Sequence, residues 1–533
     1  MFAARISNIY TRTSAGRILL FVFLAGLILR VIFPELKLLH HDEAIHAWFA
    51  YELITKGTYL YDPMYHGPLL YYLTGAAFLL FKDSDMIVRF LPAVFGAAII
   101  PLFWILNREG WLSKNYAVIG GTFFALSPCM VYFSRFLRHD ILQLFFTVAL
   151  LVCILIYLDK GRWQYGIGAA ICAACGLCLK EDMPFTLLIF GSFFLMMLLA
   201  GRIMLPVAWK RDFLTGILVM AGIGAVCYTT FFMHPEMFVQ AAFKAIEHWT
   251  GVHGQCRLCG PPYWYGFILG LYEVPIVLLS LLAVWQFGIR ESGFSSIKST
   301  ISAYLQNFRD RKGVIRPYQG IGDRSQFIFV LGLYWFILSI GLYAYIGEKV
   351  PWLIIHQLFP MILLASYGIS GKKWVLIGLA CVWMIIMTVH VCYTPIDINE
   401  PIVQVQNSEE MRDVMNLMDN SRSVVIASES YWPTPWYYRG DRWNKISFYG
   451  NKVNASTFLS QDPDLIIAHD TESYGILPGY EKRTYRLSYW FSWYDNQDRL
   501  PQYYLLRDGK SGSMNLDVYA KPEIAARVPN LSA

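Results

Sequence analysis

Charge is scarce in this sequence. Asp, Glu, Lys and Arg make up only 15% of the 533 residues against 56% hydrophobic, and mean hydropathy is +0.41, which takes the chain out of the range of soluble globular domains. The basic excess of +6 has no polar domain to cluster on and is spread over short loops, which excludes a nucleic-acid partner. No internal repeat and no low-complexity tract is present, which excludes repeat architectures. The first apolar run, behind Arg5, Arg12 and Arg17, has no small-residue cleavage site and is too long for a signal-peptide core, so it reads as a retained anchor. Cysteines number ten, but Cys129, Cys153, Cys172, Cys175, Cys178, Cys227, Cys381 and Cys392 lie in or beside apolar segments as small buried thiols. Only Cys256 and Cys259 stand in a loop, with His248 and His253 upstream; without a second half, that pair reads as an ordinary loop before a zinc site or disulfide.

What the sequence has in abundance is apolar runs. Spans long enough for a bilayer are expected at residues 16–33, 86–106, 117–133, 141–158, 165–179, 184–199, 213–232, 263–287, 327–345, 353–367 and 374–391, about eleven in all. The run 69–81 is short and reads as an interfacial helix. With that run on the surface, the basic loops at Arg108/Lys114, Lys160/Arg162, Arg202/Lys210/Arg211, 290–324 and Lys372/Lys373 share the cytoplasmic side, as the positive-inside rule demands. The opposite face then collects Asp42, Glu43, Asp62, Asp83, Asp85, Asp140, Glu181, Asp182, Glu236 and Glu348. The expected organisation is a polytopic all-α membrane domain over 1–393, with a first outer loop at 34–85, a cytoplasmic loop at 288–325 and the N-terminus inside. A soluble mixed α/β domain follows over 394–533 on the extracytoplasmic side. In that tail a helix is expected at 408–418 and strands at 424–427, 446–449, 465–468 and 503–507. The sequons at Asn454 and Asn530 are compatible with an outer location. The tail's aromatic residues, among them Tyr431, Trp432, Trp436 and Trp490, suit core packing before a sugar-stacking face.

The stretch His40-His41-Asp42-Glu43 follows the first span directly, so two carboxylates emerge at one membrane face. Asp140 opens a later span at the same face, and Arg135, Arg138, Lys180 and Lys349 are the cations there that could hold a phosphate, arginine in bidentate fashion; Arg138 is the favoured one. Glu43 equally suits the first turn of a helix. His41 and His46 are five apart, which excludes a zincin motif. Asp42, His46 and Asp140 are the candidates for a possible divalent metal; no other cofactor is indicated.

His41-Asp42-Glu43 with His66-Gly67-Pro68-Leu69, then Arg89-Phe90-Leu91-Pro92, Arg135-Phe136-Leu137-Arg138-His139-Asp140 and Leu179-Lys180-Glu181, resembles the GT-C fold of polyprenyl-phosphate-dependent glycosyltransferases, and is similar to the protein mannosyltransferases of glycosyltransferase family 39. Gly347-Glu348-Lys349-Val350-Pro351-Trp352-Leu353 with His356, and Tyr431-Trp432-Pro433-Thr434-Pro435-Trp436-Tyr437, resemble an archaeal branch labelled flippase activity-associated protein, of the Agl23 type. The resemblance implies an enzyme moving a sugar from a polyprenyl (dolichyl) phosphate to a protein or glycolipid acceptor outside the membrane. It implies Asp42 as base; Glu43 is expected to orient it or bind the acceptor and Asp140 to serve as a second acid or a metal ligand, with Arg135, Arg138, His66, Lys180, Glu181, Glu348, Lys349 and His356 as the expected substrate contacts. The family label also leaves open an accessory or transport protein for lipid-linked sugars; a base beside phosphate ligands favours catalysis.

Overall fold

The computed structural model describes residues 14–255, 260–290, 295, 297–299, 301–302, 305–306, 322–367, 369 and 374–528. Arg5, Arg12, Cys256, Cys259, most of the basic loop 290–324, Lys372, Lys373 and Asn530 lie outside them. The chain divides into two compact units, Met1–Pro34 with Leu53–Cys392, and Glu35–Glu52 with Tyr393–Ala533.

The helices in chain order are α1 Ser14–Val31, α2 His41–Lys56, α3 Leu69–Phe81, α4 Asp85–Ala98, α5 Ile100–Arg108, α6 Lys114–Leu126, α7 Pro128–Phe133, α8 His139–Lys160, α9 Trp163–Leu177, α10 Met183–Leu199, α11 Trp209–Tyr228, α12 Met237–Gln255, α13 Trp264–Tyr272, α14 Val274–Trp285, α15 Arg324–Tyr345, α16 Ile354–Ser366 and α17 Trp374–Tyr393. Among the described residues, six helices are long and apolar enough to cross a bilayer: α1, the joined α4–α5, α8, α11, α15 and α17. The α13–α14 pair, bent by 105°, makes a seventh if counted as one span. The protein is therefore a multi-pass membrane protein. The remaining expected spans fall on helices of fewer than 18 residues, such as α9, α10 and α16, so the full expected count does not follow from length.

Two expected spans are broken, and local chemistry explains both breaks. Residues 117–133 divide at Ser127, whose hydroxyl caps α7 by accepting from the Met130 N–H at 3.3 Å, with Pro128 in the first turn. Residues 263–287 divide at Glu273, just ahead of Pro275 in the first turn of α14. The buried Glu273 carboxylate ties the breaks together, accepting from Ser127 Oγ at 2.6 Å and from the Cys129 N–H at 3.0 Å. At the centre, α16 is buried along its whole length, packed by α14, α15 and α6.

Helix α12 lies outside the expected spans. Its apolar side chains Phe238, Val239, Phe243 and Ile246 are exposed, while Gln240, Lys244, Glu247 and His248 follow one another at i, i+4, i+7 and i+8. Such a two-sided helix, too polar for a span, suits a membrane interface.

In the second unit a six-stranded mixed sheet comprises β1 Gln406–Asn407, β2 Val424–Ala427, β3 Ile446–Phe448, β4 Leu465–His469, β5 Glu481–Phe491 and β6 Ser511–Ala520, in the order β1-β5-β6-β4-β2-β3. β2 pairs in parallel with β3 and β4, and the other pairings are antiparallel. Helix α18, Met411–Asp419, buries Met411, Val414, Leu417 and Met418 against one face in a core that also takes Leu38. Residues 503–507, expected as a strand, end a helix instead, Leu500–Leu506, with Pro501 in its first turn: Pro fixes a helical φ at that position and lacks the N–H a strand would need.

Candidate functional site

In the first unit, α8 and the loop before α10 bring the expected charges together. Asp140 lies in the first turn of α8 and is 1% exposed. One carboxylate oxygen pairs with Lys180 Nζ; the other faces Arg138 Nε at 3.3 Å, an ion pair without hydrogen-bond alignment. His356, from α16, places Nε2 3.7 Å from Asp140 and 3.9 Å from Asp182. Asp182 accepts from Tyr343 Oη at 3.0 Å and from Gln143 Nε2 at 2.5 Å. Arg138 stacks its guanidinium 3.7 Å above the Trp352 ring, a cation–π contact that fixes its plane. Its other end reaches His66 Nε2 at 3.4 Å.

His66 is held by a strained backbone, with φ 65° and ψ −166°, a region that non-glycine residues occupy at a cost of about 1–3 kcal/mol. The neighbouring segment enforces it. Gly67 N–H donates to the Leu179 carbonyl and Leu69 N–H to Cys178, both at 3.0 Å, and a Cβ on residue 67 would run into the Cys178 carbonyl. Thus the His66-Gly67-Pro68 turn is stitched to the backbone that leads into Lys180 and Glu181. The imidazole consequently meets Glu181 Oε2 at 2.8 Å and stacks on Trp249 with centroids 5.3 Å apart and planes 5° from parallel. Glu181 also accepts from Tyr61 Oη at 3.0 Å.

Two of the expected substrate cations lie against backbone carbonyls at helix ends. Arg135 gives its donors to the carbonyls of Leu29, Arg30, Ile32 and Phe33 at 2.7–3.3 Å, completing the C-terminus of α1. Lys349 gives its ammonium to the carbonyls of Tyr343, Ala344 and Ile346 at the end of α15, and burial draws its pKa below the usual lysine value. A cation whose donors are spent on helix carbonyls serves the dipole and the orphan acceptors there. Glu348 sits half-buried in the same turn as Lys349.

In the second unit, Asp42 and Glu43 lie in the first turn of α2. His40 is the residue before that turn: its backbone N–H donates to Glu43 Oε2 at 2.9 Å, and its Nδ1 accepts from the Asp42 N–H at 3.0 Å. This reciprocal arrangement is a capping box with an imidazole in place of a hydroxyl. Since Nδ1 accepts, Nε2 carries the proton that goes to the Gln404 carbonyl. Burial pushes the His40 pKa down to about 4, keeping the ring neutral, and burial also lowers His41. Glu43 thereby holds the helix start, and Asp42 beside it is half-buried. His46 is buried one turn further along α2.

Among the described residues, no group of three His, Cys, Asp or Glu side chains is arranged to hold a metal ion. Asp140 faces two cationic side chains, which repel a divalent ion, so this carboxylate does not fit the metal expected on it. Asp182, Tyr343, Gln143, Trp352 and Trp249 complete the cluster; of these, Tyr343, Gln143 and Trp249 carry no signal in the sequence, while Trp352 stands in the Gly347–Leu353 motif. Asp182 had a signal in its place beside Glu181 in the acidic face.

Comparison with solved structures accounts for this architecture. ArnT from Cupriavidus metallidurans, solved with undecaprenyl phosphate bound, superposes with a TM-score of 0.58 at 10% identity, over 95% of this chain and 98% of that one. The fold is of the GT-C class. Archaeal oligosaccharyltransferase AglB from Archaeoglobus fulgidus, in complex with an inhibitory peptide and a dolichol-phosphate, gives a TM-score of 0.48 at 14% identity, over 86% of this chain and 70% of that one. Residues 65–228 of this GT-C chain match the family described as dolichyl-phosphate-mannose-protein mannosyltransferase. No curated protein sequence matches.

Proposed function

We propose that this GT-C chain is a membrane glycosyltransferase moving a hexose from a polyprenyl (dolichyl) phosphate donor to a protein or glycolipid acceptor at the extracytoplasmic face. One observation carries the reading: the segment matching the mannosyltransferase family, 65–228, contains His66, Arg138, Asp140, Lys180 and Glu181, the residues that the first unit gathers into its buried charged cluster.

In this reading Asp42 accepts the proton of the acceptor nucleophile as its lone pair forms the new bond to the anomeric carbon. The bond from that carbon to the phosphate oxygen breaks, and polyprenyl phosphate departs with the electron pair. Arg138 and Lys180 face the developing negative charge. Asp140 acts as their counter-ion, keeping two cations side by side in a buried site until phosphate arrives. His66, gripped by Glu181, sets the outer edge of Arg138.

The test is transfer by the purified full-length chain in detergent, supplied with radiolabelled polyprenyl-phosphate sugars and a membrane extract as acceptor. Transfer of label with release of polyprenyl phosphate is expected. Binding of donor without any transfer or hydrolysis would sink the enzymatic reading.

A further inference from the structure

Beside the charged cluster, an open groove of about 560 Å³ is lined by Leu60, Tyr61, Asp62, Pro63, Lys244, Glu247 and His248. Its two walls are the first-loop segment ahead of His66 and the polar side of α12. The groove is wired to the cluster: Tyr61, in its wall, donates to Glu181, Glu181 holds His66, and His66 meets Arg138. On α12 the residue after His248 is Trp249, which stacks on His66; its indole N–H, shielded from solvent, has no hydrogen-bond partner among the described residues.

The lining decides what can occupy it. Two carboxylates against one ammonium disfavour a phosphate, whose charge Asp62 and Glu247 would repel. An uncharged polyol suits the same walls: carboxylates and imidazole accept or donate to hydroxyls, and the Tyr61 ring and Pro63 offer apolar surface to C–H faces. The exposed apolar side chains of α12 put the groove at the level of the bilayer surface, where a lipid carrier presents its headgroup.

We propose that this groove is the sugar subsite, binding a neutral saccharide ring while the phosphate lies toward Arg138 and Lys180. The proposal rests on the glycosyltransferase reading and adds which residues recognise the sugar. The ring belongs either to the donor lipid or to a glycolipid acceptor, and the experiment separates these sources.

Full-length wild type, Glu247→Gln and His248→Ala are compared in nanodiscs for binding of dolichyl phosphate, dolichyl-phosphate-mannose and dolichyl-phosphate-glucose, and for transfer kinetics. For a donor-sugar groove, one sugar lipid binds wild type more tightly than dolichyl phosphate, and each variant loses about tenfold of that affinity while holding dolichyl phosphate unchanged. For an acceptor-sugar groove, binding of all three lipids is unchanged and the KM for acceptor rises about tenfold with kcat preserved. Variants that match wild type in every binding and kinetic measurement overturn the groove while leaving the enzyme reading intact. Equal loss for all three lipids overturns it too, because the groove would then serve phosphate or packing. A wild type that neither binds these lipids nor transfers sugar overturns both.

Discussion

Asp42 and Arg138 divide the proposed chemistry, and each has a substitution that isolates it. Asp42→Asn keeps shape and the helix start but removes basicity, so turnover is expected to fall by about two to four orders of magnitude with donor binding intact; near-normal turnover in a radiolabel assay removes Asp42 from the mechanism. Arg138→Lys keeps the charge but loses the planar stack on Trp352, and is expected to raise donor KM, whereas Arg138→Ala nearly abolishes transfer. Unchanged donor affinity in Arg138→Ala would make this residue an ion-pair partner of Asp140 only. His40 gives a prediction in pH. Its ring accepts from the Asp42 N–H only when neutral, and its folded pKa is lowered to about 4 from 6.5. The stability it contributes is therefore present above pH 6.5 and lost as pH falls toward 4, by up to about 3 kcal/mol. His40→Asn, which can cap without titrating in this range, is expected to flatten that part of the pH–melting profile; an identical acid slope in the variant would assign the effect elsewhere.

At the scale of elements, Arg135 and Arg138 make a contrast three residues apart. Arg135→Met strips the C-terminus of α1 of its donors, so a loss of about 1–3 kcal/mol in stability is expected with donor KM unchanged; thermal melting in detergent and kinetics separate the two, and a raised KM at normal stability would return Arg135 to the substrate. Sequence alone could place both arginines at one face but could not say which donors were already taken, because that depends on where α1 ends in space. The same limit explains the sheet. β2 and β4 read as short buried apolar runs, whereas β5 and β6 open on Glu481-Lys482-Arg483 and on Ser511-Gly512-Ser513, exposed ends whose polarity hides the longest strands. α12 escaped because its hydrophobicity is one-sided. The first, fourth and last spans were legible because a bilayer demands uninterrupted apolar length, and interruptions such as Pro275 reveal a bend only once Glu273 has found its partners on α7.

At the scale of the whole molecule, the arrangement of basic loops predicts that a cysteine introduced at Ser295 labels only from the cytoplasmic side and one at Ser473 only from outside. Labelling of both from one side would overturn the orientation proposed for the chain. The second unit is also discontinuous in sequence, for Glu35–Glu52 folds with Tyr393–Ala533: Leu38 enters the tail's core, and the His40 cap is tied to Gln404. On the ribosome the segment carrying Asp42 emerges early and must wait for several hundred further residues, tens of seconds at ordinary rates of synthesis, before its partners exist. The proposed base is thus translated well before the residues that set it in place, so a nascent chain that had not yet reached the sheet would sit in the membrane chemically silent.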